Sequence, residues 1–220
     1  MAMIKSALEL ALERTKNLEV DEAAVAAAKV KTEARRAAGK FLEDPETVDF
    51  ASAMKAVPAE HRELYRRSAF DVLVAQIQLP GSFFDAEKTG RLGEALVILA
   101  TLAPQSPSLL NRAGTAGEAA GKKVAAMMQQ VVAFLSKYQE EVKRVEQAIR
   151  SQWAPKLKEK ERQMAARMGQ DVRMDPMADP EFAAFYKQNV EALRTNYSDA
   201  LDRAKQELAV FCGFAAAEQE

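Results

Sequence analysis

The 220-residue chain carries 31 Lys and Arg against 32 Asp and Glu, a formal charge of −1, so no global field draws it to nucleic acid or to an anionic membrane. Its single cysteine, Cys212, excludes an intramolecular disulfide framework and fits a reducing, cytoplasmic setting. Its single histidine, His61, excludes sites that need two imidazoles, among them the zinc-protease helix and the paired Glu-x-x-His di-iron bundle.

Alanine occurs 42 times, against 9 Gly and 8 Pro. That balance favours helix, because alanine loses no side-chain entropy on entering one. The start, MAMIKSALELALERT, places Ile4, Leu8, Ala11 and Leu12 on one helical face with charges between them, an amphipathic helix and not a signal peptide. Asp21 can cap a second, alanine-rich helix that runs to about Leu42. Asp44-Pro45 reads as a new start, with a short helix from about Pro45 to Ala56. Pro58 opens a helix with an apolar face of Leu64, Ala69, Val72, Leu73, Gln76 and Ile77, ended by Pro80-Gly81. After the Phe83-Phe84 loop, Asp85 caps a helix carrying Leu92, Leu96, Leu99 and Leu102. The apolar run Ala95 to Ala103 is about half the length a bilayer span needs, so no transmembrane segment is expected.

Ala103 to Gly117 holds two prolines, two serines and two glycines and reads as a hinge. Beyond it Val124, Met128, Val131, Leu135, Tyr138, Val142, Val145 and Ile149 recur at alternating steps of four and three, a coiled-coil seam. That helix, about 117–168, would be on the order of 75 Å long. Pro155 removes one backbone bond and predicts a kink. Asp179-Pro180-Glu181 starts a last helix, about 179–212, whose stripe includes Phe182, Phe185, Val190, Leu193, Tyr197, Leu201, Ala204, Leu208 and Phe211. A ten-residue loop forces the two helices antiparallel. Reflection about residue 173 sets Trp153 by Leu193, Ile149 by Tyr197, Val142 by Ala204 and Tyr138 by Leu208. The expected fold is therefore all-α: an N-terminal helical bundle (1–103), a hinge (104–117) and a long antiparallel coiled-coil-like hairpin (118–220) based on that bundle.

Catalytic, cofactor and metal sites are not expected. His61 sits on a charged helix start and reads as an exposed first-turn residue. Cys212, between Phe211 and Gly213-Phe214, reads as core packing in preference to a nucleophile, because its sequence neighbours include no cation to hold a thiolate. Gly114, Gly117 and Gly121 precede a helix but match neither a P-loop nor a dinucleotide fingerprint, and read as flexible linker. Glu140-Glu141, flanked by Lys137, Lys143 and Arg144, reads as a solvated face.

What stands out gathers near the hairpin tip. From Arg150 to Arg173 seven basic residues face three acidic ones, a local excess of four positive charges. Met164, Met168, Met174 and Met177 lie there with Lys158, Arg162 and Arg167, and methionine suits surfaces that accept varied apolar partners. Mutual packing that merely closes the turn is the bland reading of those methionines. The expectation is thus a non-enzymatic interaction or scaffold protein that presents its tip to a protein partner, with homodimerisation open. A ligand-binding or enzyme domain with a pocket between the 80–85 loop and the 103–117 segment is the second reading. A weak nucleic-acid or membrane-surface binder using the basic arm 150–173 is the third, disfavoured because no aromatic residues interleave the charges.

Overall fold

A computed structural model describes residues 22–81, 83–103, 113–170 and 173–214. The expected N-terminal amphipathic helix and the Asp21 cap lie outside these. The fold is all-α, with α1 (Glu22–Glu43), α2 (Phe50–Ala56), α3 (Arg62–Ala75), α4 (Ala86–Thr101), α5 (Ala113–Met168) and α6 (Pro180–Phe211). Two 3-10 turns, Ala59–His61 and Pro176–Ala178, precede α3 and α6.

The helix starts follow from local chemistry. Asp85 accepts from Lys88 N and Asp179 from Glu181 N and Phe182 N, each satisfying free first-turn donors. Asp44-Pro45 departs from its expected role. Asp44 folds into a turn, taking Glu46 N on its carboxylate and Thr47 N on its carbonyl, and Asp49 caps α2 five residues later through Ser52 N at 2.9 Å. A carboxylate that closes its own Asx turn is no longer free to cap a helix. Pro155 lies inside α5 on an exposed face, and the helix is continuous through it.

One buried cluster joins all six helices. Ala34 and Phe41 of α1, Phe50 of α2, Phe70 and Leu73 of α3, Leu96 and Leu99 of α4, Val124 to Leu135 of α5, and Leu201 and Leu208 of α6 all enter it. Cys212 and Phe214 close its C-terminal side. The segment read as a hinge is set differently from that expectation. Residues 104–112 lie outside the description, but Ala113 onward is already helix and packs antiparallel on α4. A Cβ on Gly117 would meet the Thr101 carbonyl oxygen at 2.6 Å, one on Gly121 the Thr101 Oγ1 at 2.8 Å, and one on Gly93 the Met128 Cβ at 3.2 Å. These glycines are contact points where two backbones approach, and only the absence of a side chain permits the approach.

Arginines close the helix C-termini. Arg66 of α3 is 2% exposed, and its Nη2 donates to Leu99 O at 3.2 Å and Cys212 O at 2.6 Å, at the ends of α4 and α6. Its Nη1 donates to Glu63 at 2.6 Å, and the guanidinium lies 4.9 Å from the Phe214 ring centre. Arg91 donates to Leu42 O and Glu43 O at the end of α1, and Arg62 to Lys55 O and Val57 O at the end of α2.

Substituting Arg66→Met keeps bulk but leaves two buried carbonyls without a donor, so unfolding free energy should fall by about 2–4 kcal/mol in urea titration. The glycines separate by environment. Gly90→Ala meets nothing within 4 Å and should gain up to about 1 kcal/mol from helix propensity. Gly117→Ala should lose about 1–3 kcal/mol, because overpacking against a carbonyl outweighs that gain.

Candidate functional site

The hairpin register differs from the expected one. Tyr197 stacks on Phe134 and Tyr138, ring centres 4.7 and 5.0 Å apart, in place of Ile149. Trp153 meets Phe182 edge-on at 5.8 Å and Phe185 at 5.8 Å, in place of Leu193. The helices are antiparallel, but the Tyr138–Tyr197 and Trp153–Phe182 pairs mirror about Arg167–Met168 and not about residue 173. The connecting loop explains the shift. Gly169, at φ 70°, turns the chain out of α5 in the left-handed conformation that ends helices. The chain then doubles back along the last two turns of α5, where Met174 N donates to Glu161 Oε1 at 3.0 Å and Lys160 binds Asp179. The start of α6 therefore lies beside residue 160 instead of beyond the tip.

Of the expected seam, Tyr138, Ile149, Trp153 and Leu208 are buried, whereas Val142, Leu193, Tyr197 and Ala204 are half-buried. Ile149, Trp153 and Phe182 form a small core of their own, separate from the main cluster. Two tyrosines of α6 tie to glutamates of α5. Tyr186 donates to Glu146 at 2.5 Å, which holds its phenol above the usual range. Burial, with a hydrogen bond to Glu141, pushes Tyr197 up to about 12. Glu141 is thus half-buried at the helix interface and not on a solvated face; Lys137 and Arg144 also lie at 3.9 Å from it.

At the tip itself Met164 is 38% exposed, Met168 59% and Met177 50%, while Met174, on the returning loop, is half-buried. Met164 and Met168 stand one turn apart on one face of α5. Lys158, Arg162 and Arg167 are exposed and make no ion pair among the described residues. Lys160, by contrast, is used internally: it binds Asp179, 3% exposed, and reaches Glu181 at 3.5 Å. The result is an apolar knob with cations around it that have no ion-pair partner among the described residues.

The base offers other features. A groove of about 680 Å³ runs between α4 and α5, lined by Ala86, Gly90, Val97, Ala125, Met128 and Val132, with Glu94 and with Phe41 of α1 also among its lining residues. The expected pocket by the Phe83-Phe84 loop is only about 160 Å³, and no described residue of 103–117 lines it. His61 is half-buried at the start of α3, not exposed as a first-turn residue would be. Cys212 is fully buried; burial pushes its thiol up to about 12, although Arg66 partly offsets this. That thiol is held neutral, which disfavours nucleophilic use. Among the described residues no three of His, Cys, Asp and Glu gather as they would around a metal ion, and no helix is long and apolar enough to cross a membrane.

Sequence reasoning missed Arg66. It lies three and four residues before Ala69 and Phe70, inside the buried stripe of α3, and a charge at that position is the one signal that marked it.

The tip lock is sensitive to pH in a defined direction. The hydrogen bond from Lys160 holds Asp179 below the usual carboxylate range, and the same bond raises Lys160 above the usual lysine range. A depressed carboxyl stabilises the folded tip above its unfolded pKa, and that stabilisation disappears as pH falls through the depressed value. A raised lysine stabilises below its unfolded pKa and loses effect as pH rises through the raised value. Trp153, the one tryptophan, reports on this end. Its emission should therefore be constant at neutral pH and shift at both acid and alkaline extremes, and Asp179→Asn, which removes the bond from which both limbs arise, should abolish the acid limb and weaken the alkaline one.

Residues 112–210 match a family of unknown function (DUF6657). The matched stretch takes in nearly the whole helical pair, including the tip and the α5 wall of the groove, and leaves α1 to α4 outside. No curated protein and no solved structure matches the chain.

Proposed function

We propose that this is a non-enzymatic docking protein of the cytoplasm, in which a coiled-coil-like hairpin carries an apolar, cationic tip to a protein partner. The exposure of Met164, Met168 and Met177 beside Lys158, Arg162 and Arg167, which make no ion pair among the described residues, carries this reading. Methionines that only closed the turn would be withdrawn from solvent, as half-buried Met174 partly is. Flexible thioethers accept varied apolar surfaces, and the surrounding cations select one edged with carboxylates. The implied partner is an amphipathic protein segment with an apolar face and an acidic rim. Because its cations surround apolar side chains and not stacking aromatics, the tip suits protein better than nucleic acid.

A labelled acidic amphipathic helical peptide serves as the probe, followed by fluorescence anisotropy. Burying one methionine stabilises a contact by about 1.5–3 kcal/mol. Met164→Glu or Met168→Glu should therefore weaken binding about ten- to a hundredfold, with the melting temperature unchanged because both side chains already face solvent. Arg162→Glu with Arg167→Glu should weaken it further and flatten its salt dependence. Equal binding by the methionine variants, or loss of binding only in step with loss of folding, would remove the tip from consideration.

A further inference from the structure

We infer that the apolar groove between α4 and α5 receives the methionine tip of a second copy of this chain, an inference that rests on the docking role proposed for the tip. The groove is open, about 680 Å³, and apolar along both walls. Glu94 is the one ionisable residue lining it; that side chain is exposed and makes no ion pair among the described residues. The α5 wall belongs to a stretch, Val124 to Ser136, that contains no charged residue even at its exposed positions. The opposite end of the molecule has the complementary character. There, exposed Met164, Met168 and Met177 are accompanied by Arg162 and Arg167, cations without partners among the described residues. An apolar knob accompanied by cations thus matches an apolar trough whose one ionisable lining residue is an acid.

The contact cannot close within one chain. Met128 lines the groove and Met164 stands at the tip, and the continuous helix between them spans roughly 54 Å. A tip can reach a groove only on another molecule. Since knob and trough are different surfaces, each copy uses one of each: two antiparallel copies that exchange both contacts close as a dimer, and a staggered contact leaves one knob and one trough free for further copies.

The design of the surfaces permits a complementation test by analytical ultracentrifugation. The wild-type chain should show a weight-average mass that rises with concentration to the dimer or beyond and falls with added salt. Gly90→Arg fills the groove and repels the tip, and it should remain folded because a side chain there starts in open space. Met168→Glu spoils the tip. Each variant alone should be monomeric, at least tenfold weaker in association than wild type, with its circular dichroism and melting temperature retained. Mixed in equal amounts, they should form closed dimers and nothing larger, because one supplies only a tip and the other only a groove.

Three results overturn the inference. A wild-type chain that stays monomeric throughout does so, including when deletion of residues 1–21 then allows association, since the groove would be covered by its own chain. Association of Gly90→Arg equal to wild type does so while leaving the tip a docking surface. So does a mixture of the two variants that remains monomeric. Failure of the tip reading itself is separate: it appears as unchanged binding of the acidic peptide by Met168→Glu, at concentrations where the chain is monomeric.

Discussion

The arrangement of the base depends on arginine side chains donating to the carbonyls at helix ends. A helix leaves its last carbonyls without partners and carries partial negative charge there. In this molecule the ends of α1, α2, α4 and α6 each receive an arginine from another place in the chain. Arg66 is the most constrained, because one buried guanidinium reaches two helix ends that are far apart in sequence. Its position decides where α6 stops relative to α4. The C-terminal end of the hairpin is anchored to the base through it, with Phe214 packed on the guanidinium and on Phe70 at 4.9 Å. Burying such a charge is costly unless most of its donors are used. Its Nη atoms are satisfied, and Nε is the one buried side-chain nitrogen or oxygen left without a hydrogen bond among the described residues.

Given that anchor, the glycines of α4 and α5 determine how closely the long helix lies on the bundle. Gly117 and Gly121 bring α5 against Thr101 and Val97, and Gly93 makes room for Met128. Close approach at one end has a consequence at the other. Ala86, Gly90 and Ala125 are too small to fill the space that α4 and α5 leave on their outer side, and the groove results. The small residues that allow tight backbone packing on one face produce the concavity on the next.

The parts legible in the sequence were those set by local rules. The period of Val124 to Ile149 marks residues that are in fact buried or half-buried, and Asp85 and Asp179 cap where a carboxylate before a helix should. What escaped depends on distant partners. Gly117 and Gly121 look like linker residues until Thr101 is placed against them. Arg66 looks like a surface charge until Leu99 and Cys212 present their carbonyls from 33 and 146 positions away. The register of the hairpin failed for a subtler reason. Both apolar stripes were read correctly, and because both repeat every few residues, apolar meets apolar in several registers. Only the course of the loop discriminates among them, and that course is set by single hydrogen bonds from Lys160 and to Glu161, which no periodicity encodes. The tip methionines were visible as a cluster, but their exposure depends on the same loop path, along which Met174 is half-buried while Met164, Met168 and Met177 are exposed.

The length of α5 gives these two ends their independence. Over roughly 54 Å the charges of the tip are separated from those of the base by several Debye lengths at physiological salt. The Ile149–Trp153–Phe182 core is likewise separate from the main cluster. Changes at sites so far apart, without shared partners, add in free energy instead of interacting. A substitution at Met168 therefore leaves the Arg66 anchor undisturbed, and one at Gly90 leaves the Lys160–Asp179 lock in place. That additivity gives meaning to mixing a tip variant with a groove variant: each molecule loses one surface and keeps the other intact, because the rod between them transmits position but no strain.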